Sequence, residues 1–186
     1  MHGFKNGVSY VSNLCEISDV IAVEEHWLSD NKLNLLSTVH PDFVRYGVSS
    51  MNRLLQTKIY ADRPFGGVGL LWRRQLSSRI KVLGANVAVC CLAVQFNISK
   101  DKSILITVVY LPCFTTSSDK WNEVRHCYNF IESILIRHKK EAILVGDFNF
   151  PCSPCNAAFA KCADVLNSYS IYNSVYCLQV LMYTAM

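Results

Sequence analysis

Three short apolar runs in the chain end abruptly in polar or acidic residues, and this pattern limits the folds that the chain can adopt. The runs and the residues that follow them are 20–23 before Glu25, 104–109 before Tyr110, and 142–145 before Asp147 and Asn149. Continuous apolar runs of this length are typical of strands that are buried on both faces. If such strands are neighbours, their polar ends meet along one edge of a sheet, where open α/β folds bind ligands.

Two other segments have the spacing of amphipathic helices. Apolar residues recur every three or four positions within residues 7–17 and again within residues 121–135, which predicts a helix in each segment. Residues 84–86 have the composition of a hairpin turn, which predicts separate strands over residues 80–83 and 87–96. Strands outnumber helices without strict alternation, so the pattern favours a mixed sheet with helices packed outside it.

The composition is that of one globular domain. The chain has 186 residues, of which 51% are hydrophobic and 17% are charged; this excludes a disordered chain and fits a single domain over residues 1–186. No apolar run reaches the roughly 18 residues of a membrane helix, so no membrane partner is expected. The net charge of +4 neither requires nor excludes nucleic acid. Nine cysteines without a secretory signal predict reduced thiols and an intracellular protein.

The polar residues at the strand ends suit the hydrolysis of a phosphate ester. Carboxylate oxygens are ligands that Mg²⁺ prefers, and Mg²⁺ keeps part of its hydration while it binds substrate phosphate. Glu25 would be the metal ligand, and Asp147 would deprotonate a water molecule. Asn149 and Tyr110 would hydrogen-bond to the phosphate and stabilise charge in the transition state. The alternative is structural, because Gly, Asp and Asn in residues 146–149 are also typical of an ordinary turn.

Four blocks of sequence carry a resemblance to a known family. They occur in the order Glu24-Glu25-His26-Trp27-Leu28, Arg63-Pro64-Phe65-Gly66-Gly67-Val68-Gly69-Leu70-Leu71-Trp72-Arg73, Val108-Val109-Tyr110-Leu111-Pro112 and Leu144-Val145-Gly146-Asp147-Phe148-Asn149. Together they resemble the endonuclease/exonuclease/phosphatase superfamily. The closest likeness is to the endonuclease domain of non-LTR (LINE-type) retrotransposons, and it covers nearly the whole chain.

The resemblance implies a fold, an activity and partners. The implied fold is α/β, a four-layer sandwich of two facing mixed β-sheets with outer helices. Glu25 matches the metal-binding Glu of the family, and Tyr110 matches its active-site Tyr. Asp147 and Asn149 match its Asp-x-Asn pair. The family cleaves phosphodiesters or phosphomonoesters with Mg²⁺, with Mn²⁺ as an alternative ion. The retrotransposon branch nicks DNA for a reverse transcriptase of the same polyprotein, which implies action in the nucleus on genomic DNA.

The chain departs from the family pattern at both ends, so the resemblance implies an incomplete fold and a truncated copy. The family opens with a strand that carries a metal-site Asn and closes with a Ser-Asp-His strand. This chain starts near the residues after that Asn, and no His follows Asn149. Loss of such a transition-state donor costs on the order of 100- to 1000-fold in rate. Two alternatives to the nuclease therefore stand: a non-catalytic remnant that binds nucleic acid weakly through basic residues, and a phosphomonoesterase of the same superfamily.

Five further residues in or near these blocks bear on function. Arg63, Arg73 and Arg74 flank the Gly-Gly turn and are candidate contacts for a phosphate backbone, which would add salt-sensitive affinity without sequence preference. His26 follows the candidate metal ligand and is expected to be a surface residue. Glu24 stands where the family usually has Gln, which adds a charge beside the metal ligand.

Overall fold

The computed structural model describes residues 3–50, 66–86, 91–111, 118–138, 141–147 and 175–179. In chain order the elements are α1 (Phe4–Ile17), β1 (Val20–Glu24), a 3₁₀ helix (Asp30–Thr38), β2 (Phe43–Val48), β3 (Val68–Arg73), a second 3₁₀ helix (Arg74–Arg79), β4 (Ile80–Asn86), β5 (Cys91–Asn97), β6 (Ser103–Tyr110), α2 (Ser118–His138), β7 (Ala142–Asp147) and β8 (Val175–Gln179). None of the helices in these residues is long and apolar enough to cross a membrane.

Within the described residues the strands form two sheets. The small sheet has the order β1-β3-β2 and is antiparallel. The large sheet has the order β4-β5-β6-β7-β8; its first three strands are antiparallel, and β6, β7 and β8 run parallel. Helix α2 connects β6 to β7, as a parallel pair requires a long crossover.

Alternating side chains of the large sheet face two different layers. On β6, Leu105 and Val109 pack against Cys127 and Ile131 of α2, whereas their neighbours in sequence point the other way. Those neighbours belong to the apolar layer between the two sheets, whose fully buried members include Val68, Leu70, Leu92, Val94 and Val108. The period of two along the strand therefore supplies a core on each face of the large sheet.

The small sheet is covered on its outer face by α1. Val11 and Cys15, one helical turn apart on α1, are buried against Val23 and Leu71 of the sheet. The layers are thus α1, the small sheet, the large sheet and α2, and the four-layer α/β sandwich is confirmed, with a mixed large sheet and an antiparallel small sheet among the described strands. Both helices predicted from apolar spacing are confirmed as α1 and α2.

The predicted hairpin turn at residues 84–86 is wrong. Strand β4 continues to Asn86, and Gly84 pairs with Ala93 of β5. The register shifts between Val82 and Gly84, so one extra residue of β4 is accommodated by a β-bulge, at which glycine is common. The turn residue in the sequence therefore marks an irregularity inside the strand rather than its end.

Candidate active site

The ends of strands from both sheets meet at one edge of the sandwich. In the large sheet, Tyr110 at the end of β6 is the register partner of Asp147 at the end of β7. In the small sheet, β1 ends at Glu24, whose buried carboxyl accepts the backbone N–H of Asp147. The Tyr110 hydroxyl donates a hydrogen bond of 2.7 Å to Oε1 of Glu25. The structure therefore brings three of the candidate residues, Glu25, Tyr110 and Asp147, to the same edge.

Glu25 lies in a loop with left-handed backbone conformations. Glu25 has φ of 51° and Trp27 has φ of 56°. Such conformations cost non-glycine residues roughly 1–3 kcal/mol each and persist only where the surroundings hold them. Here the carbonyl of Glu25 accepts the N–H of Gly3 at 2.9 Å, and the N–H of Trp27 donates to Gly66 at 3.0 Å. The loop is thus tied to the start of α1 and to the segment before β3.

His26 is fully buried at the centre of this loop, so the expectation of a surface residue is wrong. Its Nδ1 accepts the N–H of Leu28 at 3.0 Å, and its Nε2 lies 3.1 Å from the carbonyl oxygen of Val48. These partners assign the proton to Nε2, which donates to Val48. Burial lowers the pKa of His26 to about 4, so the ring is neutral at pH 7.

Glu24 is a second buried polar residue at the site. Its side chain is 7% exposed. Burial, together with the charge of Asp147, raises the pKa of Glu24 to about 8. Gly146 allows this close approach, since a Cβ on Gly146 would lie 3.0 Å from Oε1 of Glu24. Glu24, the last residue of β1, therefore contacts the end of β7 directly.

The carboxylates at this edge fit a magnesium ion that is bound partly by water and substrate. Glu25 supplies hard oxygen donors, and Asp147 adds a second carboxyl group at the same edge. In the part of the chain that the structure describes, no group of three or more His, Cys, Asp and Glu side chains is arranged to hold a metal ion. One protein carboxylate, here that of Glu25, together with water and phosphate is a coordination that Mg²⁺ accepts.

Two of the predicted basic contacts lie away from this edge. β3 begins beside Glu24 and ends at Arg73, five residues later, so Arg73 and Arg74 are separated from the acidic edge by roughly 16 Å of strand. Arg63 and Asn149 lie outside the described residues. The structure thus places Glu24 at one end of the small sheet and these two arginines at the other.

The side chains of these arginines make contacts within the protein. Nε of Arg73 donates to Oδ1 of Asp19 at 2.8 Å, and Nη2 of Arg73 donates to the carbonyl of Cys15 at 2.7 Å. Nη2 of Arg74 donates to the carbonyl of Pro41 at 3.2 Å. Arg73 therefore joins α1 to the small sheet, whereas Arg74 has a single longer contact at the surface.

Sequence reasoning gave no site role to His26 and recognised Glu24 only as a departure from the family pattern. For Glu24, that departure was the one feature of the sequence that pointed to the site. For His26 no local signal exists, because its partner Val48 and its neighbour Gly67 are 22 and 41 positions away in sequence.

Comparisons with known proteins agree on the fold. The Neisseria 3′ phosphatase NExo bound to a product DNA hairpin has a TM-score of 0.55 at 14% identity, over 82% of this chain and 56% of that one. The human Nocturnin catalytic domain has a TM-score of 0.54 at 14% identity, over 87% of this chain and 62% of that one. A β-hairpin deletion mutant of Staphylococcus aureus β toxin has a TM-score of 0.51 at 13% identity, over 87% of this chain and 66% of that one.

The chain thus spans less than two thirds of the length of each of these three proteins. A search of curated protein sequences gives no significant match. The model described as the Endonuclease/Exonuclease/phosphatase family matches residues 3–154, a range that includes the acidic edge and both sheets up to β7. The chain belongs to the Endonuclease/Exonuclease/phosphatase family.

Proposed function

We propose that this chain hydrolyses phosphodiester bonds in DNA with Mg²⁺, or with Mn²⁺ in its place, as an endonuclease of the retrotransposon type. The observation that supports this most is the hydrogen bond of 2.7 Å between Tyr110 and Glu25, next to the register pair of Tyr110 and Asp147. These contacts bring the side chains of Glu25, Tyr110 and Asp147, which suit phosphate ester hydrolysis, to one edge of the sandwich. The NExo structure holds a product DNA hairpin, which makes DNA the substrate class to test first.

The proposed roles follow from the chemistry of each side chain. Glu25 would hold the ion, and the hydrogen bond from Tyr110 would fix which carboxylate oxygen is turned toward it. When bound, Mg²⁺ supplies positive charge that stabilises the developing charge on the phosphate oxygens. Asp147 would accept the proton of the water that attacks phosphorus, while the bond from phosphorus to the leaving oxygen breaks. Asn149, assigned from sequence alone, would donate to the phosphate. The resulting nick in genomic DNA would serve a reverse transcriptase of the same polyprotein.

A plasmid-nicking assay with Mg²⁺ tests these roles. Glu25→Ala and Asp147→Ala are each expected to slow nicking by about 100-fold, because each removes charge that acts in the transition state. Tyr110→Phe is expected to slow it by about tenfold, since the ligand stays but loses the group that orients it. The measurement is the initial rate of conversion of supercoiled plasmid to open circles.

Asp101→Ala is the matched control for the charge change. Asp101 is exposed in the turn between β5 and β6, so its loss is expected to leave the rate unchanged. Equal rates for wild type, Glu25→Ala and Asp147→Ala would contradict the assigned roles, and absence of any Mg²⁺-dependent nicking in the wild type would contradict the proposed activity.

The second candidate function is DNA binding without catalysis. The observation that favours it is the exposed side chain of Arg74, which makes one hydrogen bond of 3.2 Å to the carbonyl of Pro41 and is accessible to a phosphate backbone. This function predicts no Mg²⁺-dependent turnover, together with a gel shift that weakens with salt and survives Glu25→Ala. The gel shift and the nicking assay on the same protein separate the two functions.

Arg74 provides a test of the proposed backbone contact. Because the side chain of Arg74 makes one hydrogen bond, of 3.2 Å to the carbonyl of Pro41, its removal is expected to leave the fold intact. If Arg74 contacts a phosphate, Arg74→Ala should lower DNA affinity severalfold at low salt and reduce the slope of log affinity against log salt by about 1. Lys81→Ala on the exposed face of β4 is the control with the same loss of charge. An unchanged salt slope for Arg74→Ala would contradict the contact.

A further inference from the structure

The loop that carries Glu25 has a strained backbone, although it must place the Glu25 carboxylate accurately. Residues 25–28, which we call the Glu25 loop, place two non-glycine residues in left-handed conformations on either side of His26. Strain of this kind persists only where neighbouring groups determine the conformation, and it concentrates at functional sites. The neighbouring group common to both strained residues is the buried ring of His26.

The ring of His26 joins the Glu25 loop to both other strands of the small sheet. Its Nε2 donates to the carbonyl of Val48 at the end of β2 at 3.1 Å. The ring also abuts Gly67, just before β3, so closely that a Cβ there would lie 2.6 Å from Nε2. Gly67 has φ of 88°, a conformation that suits glycine. The position opposite the ring is therefore open to glycine and closed to larger residues.

The ring of His26 also forms a hydrogen bond within the Glu25 loop itself. Nδ1 accepts the N–H of Leu28 at 3.0 Å, and the backbone carbonyl of His26 accepts the N–H of Phe4 at 2.8 Å. A neutral imidazole has one donor and one acceptor on opposite sides of a rigid ring. An apolar side chain could fill the space, but it would leave both the Leu28 N–H and the Val48 carbonyl without this partner, which is costly for buried groups.

We infer that His26 is a positioning residue for Glu25. Through its two ring hydrogen bonds it keeps the Glu25 loop in its left-handed form, and this places Oε1 of Glu25 against the Tyr110 hydroxyl at 2.7 Å. That Glu25 then binds a divalent ion rests on the proposed function, whereas the geometric part of the inference does not. His26 itself is fully buried, so it would act on the ion only through Glu25.

The decisive variant is His26→Phe, which keeps a buried ring and removes both ring hydrogen bonds. In a crystal structure of the folded variant, the hydrogen bond between Tyr110 and Glu25 is expected to be lost. In a titration with Mn²⁺ alone, followed by the EPR signal of the free ion, the affinity is expected to fall by about tenfold or more, as for other groups that orient a metal ligand. In the nicking assay, kcat should fall more than KM rises.

Thr107→Val is the matched control for loss of a buried polar group. Thr107 is 1% exposed and lies on β6, the strand that ends at Tyr110. Its replacement should change stability without changing the Tyr110–Glu25 contact or the affinity for Mn²⁺. A parallel loss of Mn²⁺ affinity in this control would overturn the inference, because general loosening of the fold would then account for both effects.

Retention of the Tyr110–Glu25 hydrogen bond in His26→Phe overturns the inference directly. If His26→Phe does not fold, the same measurements are made on His26→Asn, whose Oδ1 can still accept from Leu28 but whose reach to Val48 is too short. Loss of the contact there supports the inference, and wild-type geometry contradicts it. Failure of the wild type to bind Mn²⁺ or to nick DNA would count against the proposed function alone, because the crystallographic comparison needs neither.

Discussion

Replacement of Gly146 by alanine is expected to lower the free energy of unfolding by more than about 3 kcal/mol, or to prevent folding. A Cβ at Gly146 would overlap the carbonyl oxygen of Val109 and lie 2.8 Å from its carbonyl carbon. Both are backbone atoms of β6, the parallel neighbour of β7, so a side-chain rotation cannot relieve the clash. The strands would have to separate beside Tyr110 and Asp147. Urea unfolding followed by circular dichroism measures the loss.

Gly84→Ala separates this clash from the intrinsic cost of the backbone conformation. Gly84 has φ of 154° and Gly146 has φ of 149°, both within strands of the large sheet. A Cβ at Gly84 would meet nothing within 4 Å. The control is therefore expected to lose only the roughly 1–3 kcal/mol that this backbone conformation costs a non-glycine residue, without the added cost of a clash. Similar losses in both variants would contradict the argument that the approach of β6 and β7 requires glycine at 146.

The buried strands of the fold were predictable from sequence because a strand that is buried on both faces is almost wholly apolar, whereas the four-layer arrangement was implied by the family resemblance. Residues 104–109 are apolar except for Thr107 because Leu105 and Val109 face α2 while Val108 faces the small sheet. Gly84 shows the limit of such local reasoning. A glycine inside a strand and a glycine in a turn have similar neighbours in sequence, and only the pairing of Gly84 with Ala93 shows that the strand continues.

The meeting of Tyr110 and Asp147 was predictable for a different reason. Parallel neighbours end at the same edge of a sheet, so two adjacent parallel strands place their terminal side chains together once each strand is recognised. The approach of Glu24 to the backbone of Asp147 was not predictable in this way. β1 and β7 belong to different sheets. No spacing of residues in the sequence indicates which side chains of two facing sheets meet.

Arg73 shows why a basic residue near the Gly66-Gly67 turn is weak support for a nucleic-acid contact. Its guanidinium donates to Asp19 and to the Cys15 carbonyl and lies 5.2 Å from the centre of the Phe43 ring. These partners come from α1, the turn after it and β2, and each is distant from Arg73 in sequence. The charge of Arg73 is evident from the sequence, but its contact partners depend on how α1 packs against the small sheet.

Glu24→Gln is expected to stabilise the metal-free protein at pH 8 by about 3 kcal/mol and to have little effect at pH 4. Burial and the charge of Asp147 raise the pKa of Glu24 from 4.5 to about 8 in the folded protein. The folded protein therefore holds a proton that the unfolded chain releases above pH 4.5. The stabilisation from this proton is complete below pH 4.5 and is lost as the pH rises toward 8. Glutamine cannot ionise, so the variant escapes that loss.

The measurement is urea unfolding in EDTA at pH 4, 6 and 8, with Asp101→Asn as the control for an exposed carboxylate. His26 acts in the opposite direction, since burial lowers its pKa to about 4; its contribution is complete above pH 6.5 and is lost as the pH falls toward 4. Because His26 is present in wild type and variant alike, its effect cancels when the two curves are subtracted. An increase between pH 4 and pH 8 in the difference in unfolding free energy between Glu24→Gln and wild type is then due to Glu24. A constant difference over this range would contradict the raised pKa of Glu24.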